Sequence, residues 1–183
     1  MVGFVLIGIA ALALLWAVFT YNGLVRRKNM VAEGWSGIDV QLKRRSDLIP
    51  NLVESVKGYA AHERGTLDEL TKLRAQSGTQ DVAQRAQTES AISAAIGKVM
   101  AVAEAYPDLK ASANFQSLQT QLADIEDQIQ LSRRYYNGAT RDYNVMTEQL
   151  PSNLIASIGG FKAAPFFQIE NAADRDVPKV SFN

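Results

Sequence analysis

From residue 31 onward the apolar positions recur in steps of four and three: Val31, Trp35, Ile38, Leu42, position 45, Ile49, Leu52, Val56 and Tyr59. That spacing marks a helix face buried against partner helices. Arg45 interrupts the stripe once, and Pro50 comes directly after Ile49. Beyond Tyr59 the phase slips, and Leu67, Leu70 and Leu73 carry the pattern onward. The spacing predicts one long helix over 31–73, ~65 Å in length if unbroken. Pro50 is expected to kink it, since proline removes a backbone donor and its ring crowds the carbonyl of Ser46. The alternative is a break, with Asp47 capping a new helix and Pro50 inside its tolerant first turn.

Ser77-Gly78-Thr79 is the first clear stop, with Thr79 a candidate cap for the second helix. That helix is expected over 82–106, its buried face marked by Ile92, Ile96, Val99 and Ala103. After a connector over 107–114, a third runs over 115–150. There Phe115, Leu118, Leu122, Ile125, Ile129, Ser132, Tyr136, Ala139, Tyr143, Met146 and Leu150 alternate steps of three and four, as in a coiled-coil seam. Pro151 ends it, and 152–158 adds one or two turns before Gly159-Gly160. The expected fold is therefore all-α: an N-terminal transmembrane helix, then an antiparallel up-and-down bundle of three long helices plus a short fourth. An extended C-terminal tail over 161–183 completes it, with two strand-like runs at 165–169 and 177–182 that suit either a weak hairpin or a partly ordered tail.

Toward the N-terminus the periodicity is replaced by a stretch without charge, Met1 to Tyr21, with Arg26, Arg27 and Lys28 as the first charges. About 20 apolar residues span a bilayer core. A secretory signal would need a positive segment before its apolar run, and none precedes this one. The chain divides into an anchor over 1–25, a bundle over 26–160 and the tail. Trp16 and Tyr21 fall toward the charged end, at headgroup level. By the positive-inside tendency the N-terminus lies outside and the bundle lies in the cytoplasm, at the bacterial inner membrane. Asn22-Gly23 is the expected place for the anchor to bend or fray. Gly3, Ala10 and Ala17, with Ala13 nearby, put small residues on one side of the anchor. That allows close approach of neighbouring helices, although such residues are common in any membrane helix.

Composition narrows the function classes. The 19 basic and 19 acidic residues cancel, so nothing favours a nucleic-acid partner, and the lack of cysteine removes disulfide and thiolate chemistry. The single histidine, His62, has Tyr59 three residues before it, so no Glu-x-x-His di-iron pattern exists. No phosphate-binding glycine loop and no nucleophile elbow occur. No catalytic, cofactor or metal residues are assigned, and the chain is expected not to be an enzyme. Polar residues beside the stripes remain: Arg45 and Asp47 in the first helix, Glu126 and Arg134 in the third. A buried arginine requires paired carboxylates or carbonyls, so these four are candidates for a network that fixes helix register. Snorkelling of Arg45 to solvent is the alternative.

The stretch Asp39-Val40-Gln41-Leu42-Lys43-Arg44-Arg45-Ser46-Asp47-Leu48-Ile49-Pro50-Asn51-Leu52-Val53-Glu54, continued by Val56-Lys57-Gly58-Tyr59, closely resembles the signature of the bacterial LemA family. Tyr21-Asn22-Gly23-Leu24-Val25, Tyr106-Pro107-Asp108-Leu109-Lys110-Ala111, Phe115, Leu118-Gln119, Arg134-Tyr135-Tyr136-Asn137, Tyr143-Asn144 and Gly160-Phe161 extend the likeness across the chain. The resemblance implies a membrane helix followed by an antiparallel four-helix bundle, and it carries no catalytic residues. The function expected first is a membrane-anchored scaffold that homo-oligomerises, with the lipid bilayer and its own copies as partners. A single-pass membrane adaptor that binds a different protein, membrane or cytoplasmic, in envelope stress or signalling, is the alternative. Helix lengths suggest that the third helix overshoots the tip of the first. Tyr143, Met146 and Leu150, with Phe166, Phe167 and Phe182 of the tail, then become candidate contacts between copies.

Overall fold

The computed structural model describes residues 1–59, 63–78 and 81–168. These form α1 (Val2–Lys57), α2 (Arg64–Gln76), α3 (Val82–Glu104), α4 (Pro107–Lys110), α5 (Ala113–Glu148) and α6 (Ser152–Ile158). No strand occurs among the described residues, and the fold is all-α. The strand-like run at 177–182, the end of that at 165–169, Phe182, His62 and Thr79 lie outside them.

Two compact units divide the described residues: 1–41 with 127–166, and 42–126 with the short stretch that begins at Phe167. In the second unit the predicted stripes are the core. Ile49, Leu52 and Val56 of α1 pack with Leu67 and Leu70 of α2, Ile92, Ala95, Val99 and Ala103 of α3, Leu109 of α4, and Phe115 and Leu122 of α5. The expected helix over 31–73 is corrected here. α1 stops at Lys57, Gly58 and Tyr59 turn, and α2 is a separate helix. The phase slip after Tyr59 is the trace of this break, because a stripe that rotates to a new face is served by a new helix axis. The ~65 Å rod from residue 31, on which the expected overshoot rested, does not exist.

Pro50 neither ends nor splits α1. It does withhold the N–H that would have bonded the carbonyl of Ser46 four residues back. That carbonyl accepts instead from Nε of Arg74 on α2, at 2.9 Å. The proline thus frees an acceptor, and the neighbouring helix docks on it. A charged donor to a carbonyl is worth about 1.5–3 kcal/mol, so Arg74→Ala should destabilise the fold by a large part of that. In a Pro50→Ala background, where residue 50 regains its N–H, the cost should shrink, with a coupling of about 1 kcal/mol. Thermal unfolding of the four full-length proteins in detergent measures it, and a coupling of zero would separate the two residues.

α3 is capped by Asp81, whose carboxylate accepts from the Gln84 N–H at 2.9 Å, in place of the expected Thr79. Gly78 takes a left-handed φ of 140° at the end of α2, as the stop at Ser77-Gly78 requires. Pro107 opens α4 at a position where its missing N–H costs nothing.

In the first unit α1 and α5 approach closely. A Cβ built on Gly34 would stand 3.0 Å from the Cα of Tyr136, so the two backbones meet where glycine removes the side chain. Trp35 packs on the Tyr136 ring with centroids 5.7 Å apart. Gly23 plays a similar part, with a Cβ there falling 2.9 Å from Cε of Met146. At Asn22-Gly23, where a bend or fraying was expected, α1 runs on without a break. Glycine serves packing there rather than flexibility. Leu24, Tyr143 and Ala156 form the small core of this unit, joined by Val31, Met146, Ile155 and Phe161.

Candidate functional site: a buried charge network

Arg45 stands in the apolar stripe of α1 and is 2% exposed, so its charge has no route to water. Its Nη2 donates to Oε2 of Glu89 at 2.7 Å and to the Glu89 carbonyl at 3.1 Å. Its Nη1 donates to Oε2 of Glu126 at 2.7 Å and meets the Ser93 hydroxyl at 2.6 Å. Glu89 is itself buried, and its other oxygen accepts from the Ser77 hydroxyl at 2.5 Å, with Nε of Arg85 at 3.9 Å. Two guanidinium groups thus face two carboxylates, and the cluster is neutral as a whole. α1 and α5 each place one charged side chain in it and α3 places two, while the end of α2 adds a hydroxyl. Glu126 is the member open to water, with its side chain 37% exposed.

The pairing between Arg45 and Glu126 therefore joins two of the four residues that the sequence singled out. Asp47 and Arg134 are exposed, and snorkelling of Arg45 is excluded by its burial. Sequence reasoning missed Glu89, Ser93, Ser77 and Arg85. One signal was present: Ile92, Ile96 and Val99 extend backwards by three to Glu89, which occupies a stripe position just as Arg45 does. A lone cation and a lone anion in facing apolar stripes are candidates to pair.

Chemically, the cluster holds charges in place. Both carboxylate oxygens of Glu89 are committed to donors of the cluster, and the Arg45 guanidinium is pinned by carboxylates on two different helices. Such a set fixes which turns of α1, α3 and α5 face one another, since a shift of one turn would strand both charges in an apolar interior. Among the described residues no three His, Asp or Glu side chains are grouped so as to hold a metal ion. Burial pushes the phenols of Tyr136 and Tyr143 above their usual value of 10.0, so neither is poised as an acid or base near neutrality.

Of the residues expected at contacts between copies, Tyr143 is 3% exposed and packs with Leu24, and Met146 lies against Gly23 and accepts from Nη1 of Arg27 at 3.2 Å. The end of α5 is thus covered from within the chain at both positions, contrary to the uncovered seam expected there. Phe167 is fully buried, while Leu150 and Phe166 are exposed. On the apolar part of α1, Gly3, Ala10 and Ala13 are exposed and Ala17 is half-buried.

That apolar part has a mean hydropathy of 2.7 over its best window, none of it buried within the chain, and it is long enough to cross a membrane. An apolar helix of this kind, continuous with a bundle cross-linked by buried ions, defines a membrane-associated helical protein. The chain belongs to the LemA family, whose sequence profile matches residues 34–182. It is 26% identical to magnetosome protein MamQ 2 of Paramagnetospirillum magneticum, over 86% of this chain and 68% of that one. It is 25% identical to magnetosome protein MamQ of Magnetospirillum gryphiswaldense, over the same shares. Protein LemA of Metamycoplasma hominis is 29% identical, over 84% of this chain and 72% of that protein. Neither the family nor these names denotes an enzyme.

Proposed function

We propose that this chain is a non-enzymatic scaffold, anchored in the bacterial inner membrane by α1, whose copies associate and organise the membrane or the proteins in it. One observation carries the reading: the membrane-length part of α1 continues without interruption into a helix whose far turns are locked by Arg45, Glu89 and Glu126. A span joined to its bundle by a flexible linker would serve a tethered enzyme. A span that is the same helix as the bundle's own core suits a part whose position in the membrane matters. The commitment of the buried charges to one another, rather than to an open cleft, supports a structural role. Relatives named as magnetosome proteins also fit a part in organising a cellular structure.

Copies associate through the small-residue face of the span, Gly3, Ala10, Ala13 and Ala17, where close approach gains van der Waals contact in lipid. In this reading the bundle lies on the cytoplasmic side, which the positive-inside tendency of Arg26, Arg27 and Lys28 favours. Mass measurement of the full-length protein in nanodiscs tests the association: discrete multiples of the chain mass are expected, and a uniform monomer would overturn it. Replacing Ala10 and Ala13 with leucine should return the assemblies to monomers, and unchanged assemblies would exonerate this face.

A second reading, an adaptor for a different protein, is favoured by a cleft of about 300 Å³ lined by Asn51, Ser55, Asn114, Ser117, Leu118 and Gln121. Its amides and hydroxyls suit the backbone of a bound peptide. Co-purification of a second protein that is lost on Asn51→Asp with Gln121→Glu would select this reading.

A further inference from the structure

After the cis peptide between Leu150 and Pro151, the short helix α6 carries apolar side chains on two faces. One face is used: Ala156 is 1% exposed and Ile155 packs in the core that contains Leu24 and Tyr143. The other is bare: Leu154 and Ile158, spaced by four, form an exposed row at 57% and 85%, and Leu150, just ahead of the helix, is exposed at 76%. Three large aliphatic side chains within nine residues, this open to water, need a covering medium.

Their surroundings indicate what it is. From Val2 to Tyr21 α1 rises ~30 Å, the thickness of a bilayer core. Tyr21, at the end of that rise, meets the ring of Phe161 edge-on with centroids 5.4 Å apart. Gly160, in the left-handed region at φ 70°, turns the chain between α6 and that contact. Leu24, less than a turn beyond Tyr21, shares its small core with Ala156. The packing therefore ties α6 to the turn of α1 where the apolar span gives way to charge. Cations crowd the same level. Lys28 Nζ lies 6.0 Å from the Phe161 ring centroid, Lys162 is exposed beside it, and Arg26 and Arg27 line a cleft of about 210 Å³ with Met30, Ala139 and Asp142. Asp142 is the acid in that lining, against two arginines. An apolar row flanked by cations, beside a membrane helix, has the composition of an interfacial element.

We propose that Leu150 and α6 seat in the headgroup–acyl boundary of the bilayer that α1 crosses, as a second membrane contact, with anionic headgroups drawn to Arg26, Arg27, Lys28 and Lys162. The inference rests on α1 spanning a membrane and not on association of copies. It moves Leu150 from a contact between copies to a contact with lipid. A second copy is the poorer occupant: three side chains fall far short of the roughly 1,200 Å² or more that a stable interface buries, whereas the bilayer is already continuous with the span. Seated this way, α6 fixes the tilt and rotation of α1, which a single span alone leaves free.

The absence of cysteine makes the test direct. Single variants Leu154→Cys, Ile158→Cys and, as an exposed position farther along α5, Gln130→Cys are labelled with an environment-sensitive fluorophore. Each full-length protein is placed in vesicles of phosphatidylcholine and phosphatidylglycerol, with or without bromine on the acyl carbons nearest the headgroup. Labels at 154 and 158 should shift to shorter wavelength and lose most of their emission to brominated lipid, while the label at 130 should do neither. Unquenched, water-like emission at 154 and 158 would overturn the proposal. So would a blue shift that brominated lipid leaves unquenched and that fades as protein is diluted in lipid, which would assign the row to a second copy.

Discussion

Arg45→Ala should be among the most damaging single substitutions in this chain, lowering stability by about 3–5 kcal/mol. The cost comes from the groups left behind. Glu89 is 2% exposed, and without the guanidinium its carboxylate keeps only the Ser77 hydroxyl and the more distant Arg85. Glu126, being open to water, recovers part of its solvation and adds less. Arg44→Ala, on the exposed face one residue earlier, should change stability by no more than ~0.5 kcal/mol. Unfolding of the full-length variants in detergent, followed by circular dichroism, compares them directly. The double variant Arg45→Met with Glu89→Met should recover much of the loss, because replacing a buried pair with apolar groups of similar volume is often neutral or better. If Arg45→Ala and Arg44→Ala melted alike, the cluster would be incidental.

Ile125→Ala should cost about 2–5 kcal/mol. Its side chain is 4% exposed in the α5 seam, between Leu122 and Ile129, both buried, so three carbons are removed from a packed interior that has no other atoms to fill the space. Leu131, on the outward face of the same helix and 51% exposed, is the control. Leu131→Ala should stay within ~0.5 kcal/mol. Equal melts for the two would mean that α5 does not bury the face its spacing implies.

The helical fold was legible because each long helix has to bury one face, and burial writes itself into spacing. The α5 seam predicted buried positions correctly from Phe115 to Tyr143, apart from half-buried Ser132, and it failed only where Leu150 meets no neighbour. The break after Lys57 is visible as a phase slip, yet the slip by itself reads equally well as continuation. Spacing reports which face is apolar, and it does not say whether two stripes share an axis. Gly23 and Gly34 mislead in a different way. A glycine in a helix reads as weakness when the sequence is taken alone, and only the partner helix α5 reveals that close approach is the reason for it. Half of the charge network was legible because an arginine in an apolar stripe is conspicuous. Glu89 sits at a stripe position in a segment rich in alanine, glutamine and serine, where a glutamate draws no attention.

The hydrogen bond from Arg74 to the Ser46 carbonyl has a consequence for how such sequences drift. Pro50 and Arg74 are tied through a third residue's carbonyl, without any need to touch each other. Once position 50 regains an N–H, the carbonyl is satisfied inside its own helix and the arginine has nothing left to hold. Position 74 is then released to wander. A lineage that loses the arginine first carries an unsatisfied carbonyl until the proline is replaced as well, so the order in which the two are lost is biased, and proline should go first.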